Sequence, residues 1–283
     1  MTFWRRDNRY ILPAVLLIMS LFIIGSFFLF AKPDHEIQSA PSSAVLDIAT
    51  IAEPTEIILP EQVQVPILVY HHIRPTPAGL SAADQPYSIT AQAFEAQLSY
   101  LRDHGFTGVL LTDIRDALLE GKKLPDKPVA ITFDDGRDNQ YTAAFPLLEQ
   151  YGFVATFSPF TNAIGRPNYL TWEQLSEMQT AGHGIGSHAV YHPYMTKLTV
   201  DEMRREALDS RLVLKEKLGS EIAVFAHPFG LFDEQVNAVL ADVGYSVARG
   251  LEHRDLHTAE DLLSLGSYIV TENFKYFTSI VGE

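Results

Sequence analysis

The sequence predicts an α/β fold, a mostly parallel sheet closed into a barrel, standing behind an apolar N-terminal segment. Three observations carry this prediction. Strand-like and helix-like stretches alternate from Val63 to the end of the 283-residue chain, the pattern of a parallel sheet with crossover helices. The seven or eight such units counted there favour closure over the alternative, a doubly wound open sheet. The polar residues with chemical potential also fall after the strands, where barrel enzymes build their sites.

The chain begins with Arg5, Arg6 and Arg9, followed from Ile11 to Ala31 by an uncharged run of Leu, Ile, Phe and Val. That run is long enough to cross about 30 Å of hydrocarbon. The preceding arginines place residues 1–10 in the cytoplasm and everything after Ala31 outside it. An uncleaved anchor is preferred to a signal peptide, whose apolar region is about 7–15 residues and ends at a small-x-small site not evident here. Residues 32–62, rich in Pro, Ser, Ala and Glu, read as a flexible tether. Residues 63–283 form the folded domain. Its expected place is the extracytoplasmic side of the inner or plasma membrane, held by a single pass.

In chain order, Val63 to Tyr70 is an apolar strand ending in His71-His72, and a Pro- and Gly-containing loop follows to Ser88. Thr90 caps a helix carrying Phe94, Leu98 and Leu101, which Gly105 ends. Thr107 to Leu111 is a short strand and Asp113 to Glu120 a short helix. Pro128 to Phe133 reads as a buried strand that stops at Asp134, Asp135 and Gly136. Asn139 to Tyr151 is helical with Pro146 as a flaw, and Phe153 to Phe157 is the next strand. Thr171 to Gln174 and Thr199 to Glu202 are capping boxes that each open a helix. Further strands are expected at Gly184 to Ser187, Ile222 to Ala226, Tyr245 to Ala248 and Leu265 to Val270, with a helix from Asp233 to Val243.

The chain has no cysteine, so disulfides and thiolate chemistry are excluded, and its net charge of -14 makes nucleic acid an improbable partner. On an extended strand Asp134 and Asp135 point to opposite sides, which suggests separate roles, one carboxylate on a metal and the other on a proton; a simple Asp-Asp-Gly turn is the competing reading. His188 and His192 share a side if Ala189 to Tyr191 make one helical turn. Two histidines and one carboxylate form an open metal site. His183, His253 and His257 read as surface or supporting residues. Trp172 and Phe160 are candidates for stacking on a sugar, against the commoner role of core packing.

Three motifs, Thr132-Phe-Asp-Asp-Gly136, Ser187-His-Ala-Val-Tyr-His-Pro193 and Phe225-Ala-His-Pro-Phe-Gly230, give the chain its resemblance to the polysaccharide deacetylases of carbohydrate esterase family four, the NodB-homology group. It spans nearly all of Tyr70 to Val270. The resemblance implies a distorted (β/α) barrel of about seven strands. It implies Asp134 as general base and Asp135, His188 and His192 as ligands of a divalent metal. The Phe229 N–H would face the oxyanion, with Pro228 in the same turn and Trp172 counted among the substrate-facing residues. Tyr70-His71 resembles the branch acting on poly-β-1,6-N-acetylglucosamine, in which the histidine is the general acid.

Three departures qualify the match. Ala189 stands where Ser or Thr is usual. Ala226 stands where many members carry an Arg that orients the base, so another group must hold Asp134. No Leu-x-His motif near the C-terminus stands out as the source of the acid, which puts the weight on His71. The expected activity is metal-dependent removal of N-acetyl groups from a glycan, with peptidoglycan or chitin-like chains as the alternative substrates and a tethered, non-catalytic sugar-binding protein as the alternative class. Zinc is the expected metal, though the ligand set also suits iron, cobalt or nickel. The topology has a direct test: protease added to spheroplasts should digest the domain from residue 63 onward, and its protection would reverse the orientation.

Overall fold

The computed structural model describes residues 59–74 and 85–282. The apolar run 11–31, most of the tether and residues 75–84 lie outside them. No helix among the described residues is long and apolar enough to cross a membrane. The elements are β1 (Val63–Gln64), β2 (Ile67–Tyr70), β3 (His72–Arg74), β4 (Ser88–Thr90), α1 (Ala91–Asp103), β5 (Thr107–Val109), α2 (Leu111–Glu120), β6 (Pro128–Asp135), α3 (Phe145–Tyr151), β7 (Thr156–Pro159), α4 (Trp172–Thr180), β8 (Gly184–Ile185), α5 (Val200–Leu218), β9 (Val224–Ala226), α6 (Glu234–Asp242), β10 (Val247–Arg249), β11 (Leu256–His257), β12 (Tyr268–Ile269) and α7 (Phe274–Val281).

The longest strand, β6, is buried along Val129 to Asp134 and lies beside β2 on one side and β5 and β7 on the other, all parallel. Hydrogen-bonded neighbours run β12-β2-β6-β7-β8, and β9 pairs β10 separately. Two single bridges join these sheets, Ser187↔Phe225 and Arg249↔Leu265. The first is made by Ser187 N donating to Val224 O and Ala226 N donating to Ser187 O, at 2.9 and 2.8 Å. The second is supported by Leu265 N on Ala248 O and Gly250 N on Leu265 O, at 2.9 and 3.0 Å. Because Leu265 leads directly into β12, the ring closes through β2, β6, β7, β8, β9, β10 and β12. The predicted distorted barrel of about seven strands is therefore present, and its distortion has a place: two seams are held by one bridge each.

Local chemistry sets the helices around this ring. Thr90 Oγ1 accepts from Ala93 N to start α1, which buries Phe94, Leu98 and Leu101. Both expected capping boxes form, Thr171 with Gln174 and Thr199 with Glu202. The helix expected over Asn139 to Tyr151 is present as one run of helical backbone: residues 138–139 are α-helical, Gln140–Ala144 make a π-turn and α3 continues from Phe145. Pro146, the expected flaw, directly follows that π-turn, a local irregularity of the kind that interrupts the regular hydrogen-bond ladder. The two ends of the loop after β2 pair as parallel strands, β3 with β4, a contact the sequence pattern did not show.

At the opposite end of the barrel from the strand C-termini, His257 lies in the β1–β11 pair, fully buried, its Nε2 3.0 Å from Val65 O. It is neither surface nor near the predicted site, which corrects one expectation. His183 is also buried, bridging Ala155 N and Glu149. His227 donates through Nε2 to Leu263 O at 3.0 Å, and burial pushes its pKa down to about 4. The folded protein therefore binds fewer protons than the unfolded chain, whose imidazole titrates near 6.5. Stability from neutral His227 is complete above that value and lost as pH falls toward 4. Between pH 7 and 5 the loss should be on the order of 2 kcal/mol. Urea midpoints at the two pH values should move less in His227→Gln than in wild type, and equal shifts would refute the assignment.

Candidate functional site

The C-terminal strand ends enclose a cleft of about 150 Å³ lined by His71, His72, Tyr87, Asp134, Asp135, Arg137, His188, His192, Phe229, Gly230 and Leu251. The last two residues of β6 supply both carboxylates. Their alternation is broken, however: Asp135 has φ 72° and Gly136 φ 70°. The left-handed turn swings Asp135 back toward the face that Asp134 already occupies, so both carboxylates reach one site and the expected opposition is corrected. His188 Nε2 lies 3.9 Å from Asp134 Oδ2 and 3.9 Å from Asp135 Oδ1. Gly136 is required here, since a Cβ would sit 2.5 Å from Pro159 Cβ as well as at positive φ.

Asp134 is 3 % exposed, and an ionised carboxylate so deeply buried needs a partner. Arg249, at the end of β10, provides it: Nη2 donates to Asp134 Oδ1. Burial alone would raise the Asp134 pKa; the Arg249 guanidinium, with His188 and His71 adding to it, overrides that and holds the carboxyl at about 2. Oδ2 remains for the cleft, 3.9 Å from His71 Nε2. His71 follows β2, and its ring packs 4.8 Å from that of Tyr87. Burial lowers its pKa, opposed by the nearby Asp134 and Asp135 charges. His72 does not face bulk solvent; it is buried, with Nδ1 3.3 Å from Asn139 Nδ2.

Asp135, His188 and His192 bring one donor atom each within 4.8 Å of one another. The expected helical turn between the histidines is absent: Ala189 and His192 take φ of 67° and 57°, and this loop, not a helix, brings the rings 4.6 Å apart. The donor set fits a divalent metal. Nδ1 of His188 lies 2.7 Å from Ala226 O, which fixes the tautomer with Nε2 free to ligate. His192 Nε2 and Asp135 Oδ1 are 3.8 Å apart. Ligand bonds of about 2.0–2.2 Å let one ion share donors at such separations, which are too long for hydrogen bonds.

Phe229 has φ 60°, and its N–H has no acceptor among the described residues. Its ring stacks on Tyr194 at 3.8 Å and packs 4.4 Å from His192. Gly230 behind it has no space for a side chain, Leu251 Cγ lying 2.5 Å from a built Cβ. Two predicted substrate residues are not in the cleft. Pro228 is buried in the turn beneath Phe229, and Trp172 opens α4 on a separate depression with Phe145, Glu149 and Glu177, because its position is set by the capping box and not by the strand ends. Phe160 reaches the rim, its ring 5.8 Å from His192.

Sequence reasoning missed Arg249, the buried partner of Asp134, and the lining residues Tyr87, Arg137 and Leu251. Arg249 was legible only as a charge ending an apolar strand before Gly250, a pattern that marks a buried partner. Leu251-Glu252-His253 does read Leu-x-His, contrary to expectation, yet only Leu251 lines the cleft; His253 is exposed and stacks 5.0 Å from Tyr268.

Comparison with known proteins agrees with this geometry. A family model described as polysaccharide deacetylase matches residues 121–248. The Bacillus subtilis protein YxkH, which carries a polysaccharide deacetylase name, is 28% identical over 244 residues, 82% of this chain and 85% of that protein. The poly-β-1,6-N-acetyl-D-glucosamine N-deacetylase of Escherichia coli K12 is 26% identical over 236 residues, 68% of this chain but only 35% of that enzyme. The solved structure of the Streptococcus pyogenes deacetylase PplD in complex with acetate superposes with a TM-score of 0.70 at 25% identity, over 78% of this chain and 99% of that one. For the buried pair, Arg249→Met should destabilise the fold by about 3–5 kcal/mol in denaturant unfolding, because it strands a buried charge. Arg204→Met, which breaks the exposed pair with Asp242, should cost about 1 kcal/mol or less; equal losses would overturn the assignment.

Proposed function

We propose that this chain, which belongs to the polysaccharide deacetylase family, is a metal-dependent N-deacetylase acting on poly-β-1,6-N-acetylglucosamine outside the cytoplasm. One observation carries the reading. A buried, ionised carboxylate, Asp134, stands within 3.9 Å of an imidazole on each side, His71 and His188, next to a three-donor cluster of Asp135, His188 and His192. A sugar-binding role alone needs no such base beside a metal cluster.

Asp135, His188 and His192 would hold a divalent ion, which when bound would supply Lewis-acid chemistry, lowering the pKa of water toward about 7. The remaining steps belong to the chain's own groups. Asp134 Oδ2, the oxygen not taken by Arg249, accepts the proton of the attacking water, and the guanidinium keeps that carboxylate charged and aimed. The Phe229 N–H, which has no acceptor among the described residues, donates to the oxyanion as the carbonyl becomes tetrahedral. As the carbon–nitrogen bond breaks, His71 Nε2 gives a proton to the departing amine, and acetate and a free amino sugar leave. Burial makes the His71 imidazolium a stronger acid, and the adjacent carboxylates offset part of that effect.

The choice of polymer is supported by the Tyr70-His71 opening and by the name of the Escherichia coli relative. The extracytoplasmic location is supported by the uncharged run after Arg5, Arg6 and Arg9. Acetate release should be measured from poly-β-1,6-N-acetylglucosamine, peptidoglycan and chitin oligomers, with and without chelator. Release from the first, lost on metal removal, is the expected result. Asp135→Ala, His188→Ala and His192→Ala should lose metal by elemental analysis. Asp134→Asn should keep metal without turnover, and His71→Ala should keep metal with kcat lowered about 10²–10⁴-fold. Undiminished release from fully metal-free protein would sink the mechanism, and release from peptidoglycan alone would sink the substrate.

A further inference from the structure

We propose that Gln140 is a positioning residue of the reaction, whose buried side-chain amide sets the spacing of His71 and Asp134 by donating to both of their backbone carbonyls. The parallel ladder between β2 and β6 runs from Ile67↔Ala130 to Tyr70↔Phe133 and stops there. In that register the next pair is His71 and Asp134, the two residues given the acid and base roles above. The proposal rests on that reading for those roles, while the clamp itself rests on geometry alone. Beyond its last rung a twisted sheet lets strands diverge. Gln140 Nε2 lies 3.0 Å from His71 O and 2.5 Å from Asp134 O, so one amide group, which carries two donors, replaces the missing rung.

The side chain is fully buried and is absent from the cleft lining, so it acts through the residues it holds and does not touch substrate. It opens the π-turn Gln140–Ala144, an irregularity found mostly at functional positions. Asn139, just before it, extends the grip to β3: its Oδ1 accepts from Ile73 N at 3.2 Å and its Nδ2 lies 3.3 Å from His72 Nδ1. Chain leaving the Asp-Asp-Gly corner therefore doubles back under the site and fixes the strand that bears the acid. A displacement of about 1 Å at such a group can cost about 10²-fold in rate.

The test replaces Gln140 with methionine, similar in length but without donors. Gln140→Met should lower kcat by about 10–10²-fold with KM within about twofold and metal content unchanged. In hydrogen exchange, the peptide covering 67–74 should exchange faster. Tyr245→Phe, which removes a buried hydrogen bond to Ala207 O on α5, serves as the structural control and should leave both readouts near wild type. If the methionine variant does not fold, Gln140→Asn, too short to reach both carbonyls, is read in the same way. A kcat within about twofold of wild type, or a loss no greater than that of Tyr245→Phe, overturns the proposal even if exchange quickens. If wild-type protein releases acetate from no glycan, the hydrolase reading fails by itself; the clamp is then decided by exchange, and unchanged protection of 67–74 overturns it.

Discussion

The site depends on one buried ion pair. Asp134 is the penultimate residue of β6 and Arg249 the last of β10, and neither charge is tolerable at that depth without the other. These strands are not neighbours; they face each other across the barrel mouth. The pair can form only if the ring closes, and the ring closes through two seams of a single bridge each. The Arg249↔Leu265 seam uses the arginine's own residue, so the closure of the barrel and the charge state of Asp134 are aspects of one arrangement. Arg249 also fills the role left open by Ala226, from the strand adjacent to the one that carries Ala226.

Backbone strain is concentrated at this mouth. Among the described residues, five other than glycine have positive φ, and four of them, Asp135, Ala189, His192 and Phe229, belong to the three-donor cluster or its walls. Each such conformation costs of order 1 kcal/mol or more and persists only where surroundings over-determine it. Here the surroundings are rigid: the Ser187 bridge precedes His188, Glu206 Oε2 accepts from Val190 N and Tyr191 N at 2.9 Å each, and Ala189 is wholly buried. The small side chain at 189 suits a left-handed position packed on all sides.

The histidines of the three-donor cluster and the His71–Asp134 pair are held by different contacts. His188 is oriented by Ala226 O and His192 by its loop, whereas His71 and Asp134 are tied to one another by Gln140. Asp135, the third donor of the cluster, instead shares β6 with Asp134, and its left-handed backbone brings both carboxylates to the same cleft.

The sequence by itself determined the alternation of elements, the capped starts of α1, α4 and α5, and the motifs that bear Asp134, Asp135, His188 and His192. These are local properties: periodicity, a capping hydroxyl, and short runs of side chains that need no distant partner to be recognised. Only the tertiary structure decided the rest. Extended alternation set Asp134 and Asp135 apart, but the left-handed backbone of Asp135, at the end of the ladder where it pairs with Pro159, reunites them. Helical spacing brought His188 to His192, but a loop does so in fact. Trp172 and Pro228 had suitable chemistry and unsuitable places, since a residue's distance from the strand ends is not written in its neighbours. Arg249, 115 residues from its partner, became a functional residue only when the barrel closed, because the energy of a buried charge depends on what the whole fold places beside it.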